Sequence, residues 1–173
     1  MSEPARKVPH HLAAARLAAV QALYQCEITG ASADQAIGDF LERGVGGIAL
    51  IGPGGDDGPE IEVELAKLDK SLFVAVVRGA LERRTDLDAM IGGALSEEWT
   101  VDKLEVVMLS ILRAGAYELS ARAQVPSRVA ISEYVGIAGA FYEGAEPGMV
   151  NAVLDRIARV VRSGEFGSHV QAR

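Results

Sequence analysis

The chain has few of the residues that mark an enzyme, a secreted protein or a membrane protein. Its 173 residues include a single cysteine, Cys26, which excludes an internal disulfide and fits a reducing compartment. No run of about 18 apolar residues is present, so we expect no membrane span and a cytoplasmic protein. Aromatic residues make up only 5% of the chain. A hydrophobic core must therefore be mostly aliphatic and alanine-rich, which suits closely packed helices.

The motifs of common catalytic and cofactor sites are also missing. Residues 44–59 are rich in glycine, but Pro53 follows Gly52 where a phosphate-binding loop needs lysine. The three histidines lie near the chain ends, and none is spaced to share a metal with another ligand. Cys26 has no cysteine partner and is expected to be a small buried apolar residue. We therefore predict no enzymatic activity, no cofactor and no metal.

Charge is distributed unevenly along the chain. Residues 1–24 carry Arg6, Lys7 and Arg16 against one acidic residue, whereas the remainder holds 14 basic and 23 acidic residues. The total is −7. A basic end on an acidic body is compatible with a local anion site, and equally with an ordinary solvated terminus.

Apolar spacing predicts an all-α fold of about seven helices. The first covers residues 11–28, and Ser32 with Gln35 forms a capping box for a second helix ending near Arg43. The third spans 62–84, Asp86 caps a fourth, and Asp102 with Glu105 caps a fifth. The sixth covers 127–142, and Pro147 is the first residue of the seventh.

The long gap between the second and third helices indicates that the single domain divides into two helical halves. The N-terminal half covers 10–84 and includes the Gly-rich loop 44–59. The C-terminal half covers 85–162, and residues 163–173 are expected to form a flexible tail. In the fifth helix, the small residues Ala114, Gly115 and Ala116 are expected to let another helix approach closely.

Four sequence blocks resemble the NusB family of bacterial transcription antitermination factors. Residues 15–25 are similar to the family's first helix, and residues 112–119, 125–133 and 150–155 to its later helices. The resemblance implies a helical bundle that binds boxA-type single-stranded RNA of rRNA operon transcripts with NusE, a ribosomal protein, within the RNA polymerase antitermination complex. A homodimer through the alanine-rich first helix is also conceivable on this resemblance.

Candidate site residues follow from this resemblance and from side-chain chemistry. For RNA we expect Arg6, Lys7 and Arg16 to contact phosphates and Tyr24 to stack on a base. For the protein partner we expect the residues Met108, Arg113, Glu118 and Met149. The alternative is a protein–protein adaptor that kept the fold and lost most RNA contact.

Overall fold

A computed structural model describes residues 11–42 and 68–167. Within these ranges the chain forms seven α-helices and two 3-10 helices, with no β-strand. The α-helices are α1 (His11–Thr29), α2 (Ala33–Glu42), α3 (Lys70–Glu82), α4 (Arg84–Ala94), α5 (Val106–Ala121), α6 (Ser127–Phe141) and α7 (Glu146–Val161). The predicted all-α class is confirmed. Arg6, Lys7, the Gly-rich loop 44–59 and the last six residues lie outside the described ranges.

Helix α1 lies at the centre of the bundle and contacts α2, α3, α5 and α6. A helix that is surrounded on several sides has no need of a wide polar face. Its small residues are accordingly buried: Ala14, Ala15, Ala18, Ala19 and Ala22 are all at most 2% exposed. These alanines, which suggested a dimer through α1, are therefore already packed within the chain.

The start of α2 has the predicted capping box. The main-chain N–H of Gln35 donates to the Ser32 hydroxyl at 3.2 Å, and the Ser32 N–H donates to the Gln35 side-chain oxygen at 2.9 Å. These reciprocal bonds satisfy donors that a helix start leaves unpaired.

The small-residue stretch of α5 does permit a close approach. A Cβ on Gly115 would lie 2.8 Å from Leu154 of α7 and 3.3 Å from Tyr134 of α6. Gly79 of α3 is similarly placed, since a Cβ there would overlap the Tyr117 ring of α5. Both glycines allow side chains of neighbouring helices to reach the backbone.

Three predicted helix starts are wrong in detail. Asp86 lies in the first turn of α4, which begins two residues earlier at Arg84. Asp102 lies in the 3-10 helix Val101–Lys103, and Glu105 is the cap residue of α5 without a capping side-chain bond. Pro147 was predicted to be the first residue of α7 and is its second, because the helix begins at Glu146.

The segment after α7 is also more ordered than predicted. Residues Ser163–Phe166 form a 3-10 helix, whereas a flexible tail was expected from residue 163 onward. The buried Arg162 explains this arrangement. Its guanidinium donates to the carbonyls of Glu118, Leu119, Arg122 and Val125, and to the Glu165 carboxylate. One side chain thus satisfies the carbonyls at the end of α5 and holds the residues that follow α7.

A continuous hydrophobic core joins residues from all seven helices. Contacts of α1 with α5 and α6 connect the N-terminal helices to the C-terminal ones. No helix among the described residues is long and apolar enough to cross a membrane. The sites considered below lie at the α1–α5–α6 junction, on the outer side of α1, and in a groove beside α7.

Candidate nucleic-acid and partner-protein interfaces

Arg16 is a core residue and not a surface cation. It is 3% exposed, and its Nε and Nη2 atoms donate to the Glu118 carboxylate at 2.8 and 3.0 Å. Glu118 is completely buried, and its Oε2 also accepts a 2.5 Å bond from the Tyr134 hydroxyl. Arg16, Glu118 and Tyr134, named here the buried triad, join α1, α5 and α6.

The charges within the buried triad are balanced. Burial works against the Arg16 cation, but the hydrogen bond and charge of Glu118 outweigh it, so the pKa of Arg16 is raised. Burial and the adjacent Glu118 charge keep the pKa of Tyr134 well above its usual range. The triad is thus one cation, one anion and one neutral phenol. The expectations that Arg16 contacts RNA from the surface and that Glu118 faces a protein partner are corrected accordingly.

Tyr24 lies on the outer side of α1 and is 41% exposed. Ile28, one turn further along the helix, is 58% exposed. Tyr24 therefore has a ring face available for stacking. It does not form a joint surface with Arg16, because that guanidinium points into the core. The other two expected RNA contacts, Arg6 and Lys7, fall outside the described residues.

Arg113 is buried and holds three helices together. Its Nε and Nη2 atoms donate to the Asp88 carboxylate of α4 at 2.7 and 2.9 Å, and its Nη1 donates to Glu27 of α1 at 3.3 Å. Glu27 also pairs with Arg84 at 2.9 Å. The expectation that Arg113 faces a partner is therefore corrected, because its donors are directed to carboxylates of its own chain.

Met108 and Met149 lie together in a surface groove beside α7, named here the α7 groove. Its volume is about 470 Å³. The apolar lining comes from the connection between α4 and α5, from α5 and from α7, and includes Leu95, Trp99, Leu104, Met108, Met149 and Val153. Met108 is buried at its floor, and Trp99 is 45% exposed. Of the four residues expected to meet a protein partner, these two methionines share a surface that a partner can enter.

The polar residues of the α7 groove include two carboxylates beside Tyr142. The Tyr142 hydroxyl donates to Glu105 Oε2 at 3.0 Å, and burial together with Glu105 raises the pKa of Tyr142. The charge of Glu146 acts in the same direction. Arg156 also lines the groove and donates to the Ala94 carbonyl at 2.7 Å.

Sequence reasoning missed two contributors to these sites. Trp99, the only tryptophan of the chain, was not among the predicted site residues. Arg162 was not considered because its carbonyl partners lie about 40 residues earlier in the chain. A lone tryptophan in a predicted connection was an available signal for the groove, whereas no local pattern pointed to Arg162.

Cys26 is buried, as predicted, and burial raises the pKa of its thiol. Across residues 11–42 and 68–167, no group of three or more His, Cys, Asp or Glu side chains is arranged to hold a metal ion.

Comparison with known proteins identifies the family. The sequence model of the NusB family matches residues 13–159. The chain is 51% identical over 162 residues to the transcription antitermination protein NusB of Rhodospirillum rubrum, covering 91% of this chain and 88% of the relative. The chain belongs to the NusB family.

Further comparisons agree with this membership. The transcription antitermination protein NusB of Maricaulis maris is 41% identical over 153 residues, covering 88% of this chain and 89% of the relative. A solved structure of T. maritima NusB has a TM-score of 0.67 and 26% identity, covering 96% of this chain and 99% of that one. The similarity to NusB family members thus extends over nearly the whole chain in sequence and in fold.

Proposed function

We propose that this chain is a transcription antitermination factor that acts with NusE on boxA-type single-stranded RNA in rRNA operon transcripts. It would act in the cytoplasm as part of the RNA polymerase antitermination complex, by binding and not by catalysis. The observation that carries this proposal is the family match over residues 13–159, together with relatives named transcription antitermination protein.

The exposed ring of Tyr24 supports an RNA contact on the outer side of α1. Single-stranded RNA is held by aromatic rings that stack on bases and by cations that contact phosphates. Tyr24 provides the ring, and Arg6 and Lys7 precede α1 in the sequence. Arg16 acts indirectly in this account, since its bond to Glu118 fixes the position of α1.

The described surface has limited free positive charge for RNA. Among the described residues, Arg78 and Arg84 are paired with Asp34 and Glu27, whereas Lys70, Lys103 and Arg128 are exposed without such a pair; the whole chain has a net charge of −7. Because phosphate contacts dominate RNA affinity, we expect weak binding by the chain alone and tighter binding when NusE is present.

Fluorescence anisotropy with a labelled boxA-like single strand tests this function. We expect the affinity to rise on addition of NusE and to fall as salt is increased. A scrambled strand of the same length serves as the control for sequence recognition. Failure to bind RNA with or without NusE, at low as well as at physiological salt, would contradict the proposal.

Tyr24→Ala tests the stacking contact. We expect it to weaken RNA binding by about 1–3 kcal/mol, the usual range for one stacked base. Tyr24→Phe keeps the ring and should retain most of the affinity. Ile28→Ala, on the same exposed side of α1, is the matched control and should leave the affinity unchanged. Equal affinities for all three variants would remove Tyr24 from the RNA surface.

Arg6 and Lys7 are tested by the salt dependence of binding. Replacing both with alanine should reduce the slope of log K against log salt by about 1.4, because each single-strand phosphate contact contributes about 0.7. An unchanged slope would show that neither residue contacts a phosphate.

The burial of Arg16 favours one alternative, a protein–protein adaptor of the NusB family. The adaptor would bind NusE through its surface and leave RNA contact to other components. Calorimetry with NusE separates the two functions: NusE binding without any RNA binding, alone or in the mixture, would support the adaptor.

A further inference from the structure

Helix α1 supplies an aromatic ring for RNA but no free lysine or arginine. The only lysine or arginine within His11–Thr29 is Arg16, which is buried and bonded to Glu118. A strand that stacks on Tyr24 therefore needs phosphate contacts from other elements, in addition to those expected from residues before α1. Cations that have no carboxylate partner are the candidates.

Three such cations lie at the ends of neighbouring helices and are named here the basic end. Lys70 is the first residue of α3 and is exposed. Arg122 follows the last residue of α5 and is half-buried, and Arg128 lies exposed in the first turn of α6. Across residues 11–42 and 68–167, none of the three forms an ion pair.

Lys70 lies beside the start of α1. The main-chain N–H of Asp69 donates to the His11 carbonyl at 3.3 Å, which joins the residue before α3 to the first residue of α1. Lys70 is the next residue after Asp69. Its ammonium group is therefore carried by the same end of the bundle as the first turn of α1.

The two arginines of the basic end flank residues that contact Arg16. Arg16 bonds Glu118 of α5 at 2.8 Å and lies 4.0 Å from Glu133 of α6. Arg122 comes four residues after Glu118, and Arg128 comes five residues before Glu133. Each arginine is thus about 6–8 Å along its helix from a residue that contacts α1. The end of α5 and the start of α6 therefore lie near the start of α1.

The carboxylates close to these helix ends already accept other bonds. Asp69 accepts from the Leu72 N–H at 3.0 Å and caps α3. Glu165 accepts from the Ser127 N–H at 2.9 Å and from Arg162 at 2.7 Å. These bonds leave the three cations of the basic end without an acidic partner among the described residues.

Arg122 also has a donor without an acceptor. Its Nε atom is buried and has no hydrogen-bond partner in the described part of the chain. Its main-chain carbonyl is held by Arg162 at 2.7 Å, so the backbone that carries the side chain is fixed. An acceptor with negative charge would satisfy this guanidinium, and phosphate matches its paired donors.

We propose that the basic end binds phosphates of the single-stranded RNA that stacks on Tyr24. Lys70 supplies a point charge, whereas Arg122 and Arg128 supply paired N–H donors. Tyr24 comes 13 residues after His11, which is about 20 Å along α1. At about 3.4 Å for each stacked nucleotide, about six nucleotides span that distance. The inference rests on the proposed function for its ligand, RNA.

The salt dependence of RNA binding, measured by fluorescence anisotropy, tests the basic end. A combined Lys70→Gln, Arg122→Gln and Arg128→Gln variant should reduce the slope of log K against log salt by about 2, because each single-strand phosphate contact contributes about 0.7. Lys70→Gln alone should reduce it by about 0.7. Lys103→Gln is the matched control, since it removes an exposed lysine at the α7 groove and should leave the slope unchanged.

Two further measurements separate phosphate contact from a structural role. Circular dichroism should show the same helix content for all variants, and Arg122→Lys with Arg128→Lys should retain most of the slope because the charges remain. Phosphate contacts carry no sequence information, so the triple glutamine variant should weaken boxA-like and scrambled strands by the same factor. Lengthening the strand from about four to about eight nucleotides should raise the affinity of the native chain more than that of the triple variant.

The outcomes distinguish this inference from the proposed function. RNA binding with an unchanged slope in the triple variant would overturn the basic end and retain the function. A native chain that binds neither strand, with or without NusE, would overturn both. A poly-glutamate peptide whose binding needs these cations, while RNA binding does not, would assign the basic end to an acidic protein segment and overturn the RNA contact.

Discussion

The buried triad and the α7 groove use similar residue types with opposite results. In the triad, Glu118 accepts bonds from Arg16 and Tyr134 and is fully enclosed. In the groove, Glu146 lies near a tyrosine but has a carboxylate oxygen without a donor. The satisfied buried charges of the triad connect helices, whereas one Glu146 oxygen has no hydrogen-bond partner among the described residues. Two glutamates thus have different roles because of their neighbours alone.

The largest expected effect comes from breaking the buried triad. Glu118→Gln removes the nearer carboxylate partner of the buried Arg16 guanidinium and leaves Glu133 at 4.0 Å, so the loss of unfolding free energy should be at the lower end of about 3–5 kcal/mol. Urea denaturation followed by circular dichroism measures it. A combined Arg16→Met and Glu118→Leu variant should recover part of the loss, because apolar residues of similar size need no charge pairing. A loss below about 1 kcal/mol in the single variant would contradict the structural role.

A smaller effect is expected from filling the close approach in α5. Gly115→Ala directs a methyl group at Leu154 and Tyr134, and overpacking of this kind costs about 1–3 kcal/mol. The gain of about 1 kcal/mol in helix propensity partly offsets it. Gly136→Ala on α6 is the control, since its Cβ meets nothing within 4 Å and it should be stabilising. A melting temperature that is higher for Gly115→Ala than for Gly136→Ala would refute the close packing.

Acid should weaken the contacts that Glu165, after α7, makes with Ser127 and Arg162. Hydrogen bonds from the Ser127 hydroxyl, Arg162 and the Ser127 N–H lower the pKa of Glu165 from 4.5 to about 2. A depressed folded pKa gives stability that is present above pH 4.5 and is lost as pH falls toward 2. Urea denaturation should therefore show that the unfolding free energy falls more between pH 7 and pH 3 for the native chain than for Glu165→Gln. Equal losses would mean that Glu165 makes no such contribution.

The smallest effect on folding is expected in the groove. Glu146→Gln removes a carboxylate with an unpaired oxygen, so we expect unfolding free energy to change by less than about 1 kcal/mol, the range of one charge at a helix start. The same chemical change at Glu118 should cost several times more. Comparable losses of unfolding free energy for Glu118→Gln and Glu146→Gln would remove the distinction between the buried triad and the α7 groove.

Helical elements were predictable where the information is local. The Ser32–Gln35 capping box and the apolar spacing of α1, α3 and α6 depend on residues a few positions apart. Asp102 was wrongly assigned as a cap because a 3-10 helix and a helix start have similar polar residues at their beginning. Such boundaries depend on how the connection packs, which spacing does not show.

Site residues were harder to predict because burial depends on distant partners. Arg16 and Glu118 are 102 positions apart, and each looks like a surface charge when considered alone. A charge in a helix stripe is usually solvated, so the pairing became visible only in three dimensions. Met108 and Met149 both line the α7 groove, and their assignment to a partner remains a prediction.

The most direct test is hydrogen–deuterium exchange, measured on the chain alone, with boxA-like RNA and with NusE. It shows whether the binding surfaces are separate from the buried triad. We predict that RNA slows exchange in α1 around Tyr24, and that NusE slows it in residues 95–108 and 145–156. Peptides covering the α1–α5–α6 junction should already be protected in the free chain. Protection by NusE that leaves both groove segments unchanged, or RNA protection away from both α1 and the basic end, would contradict the account.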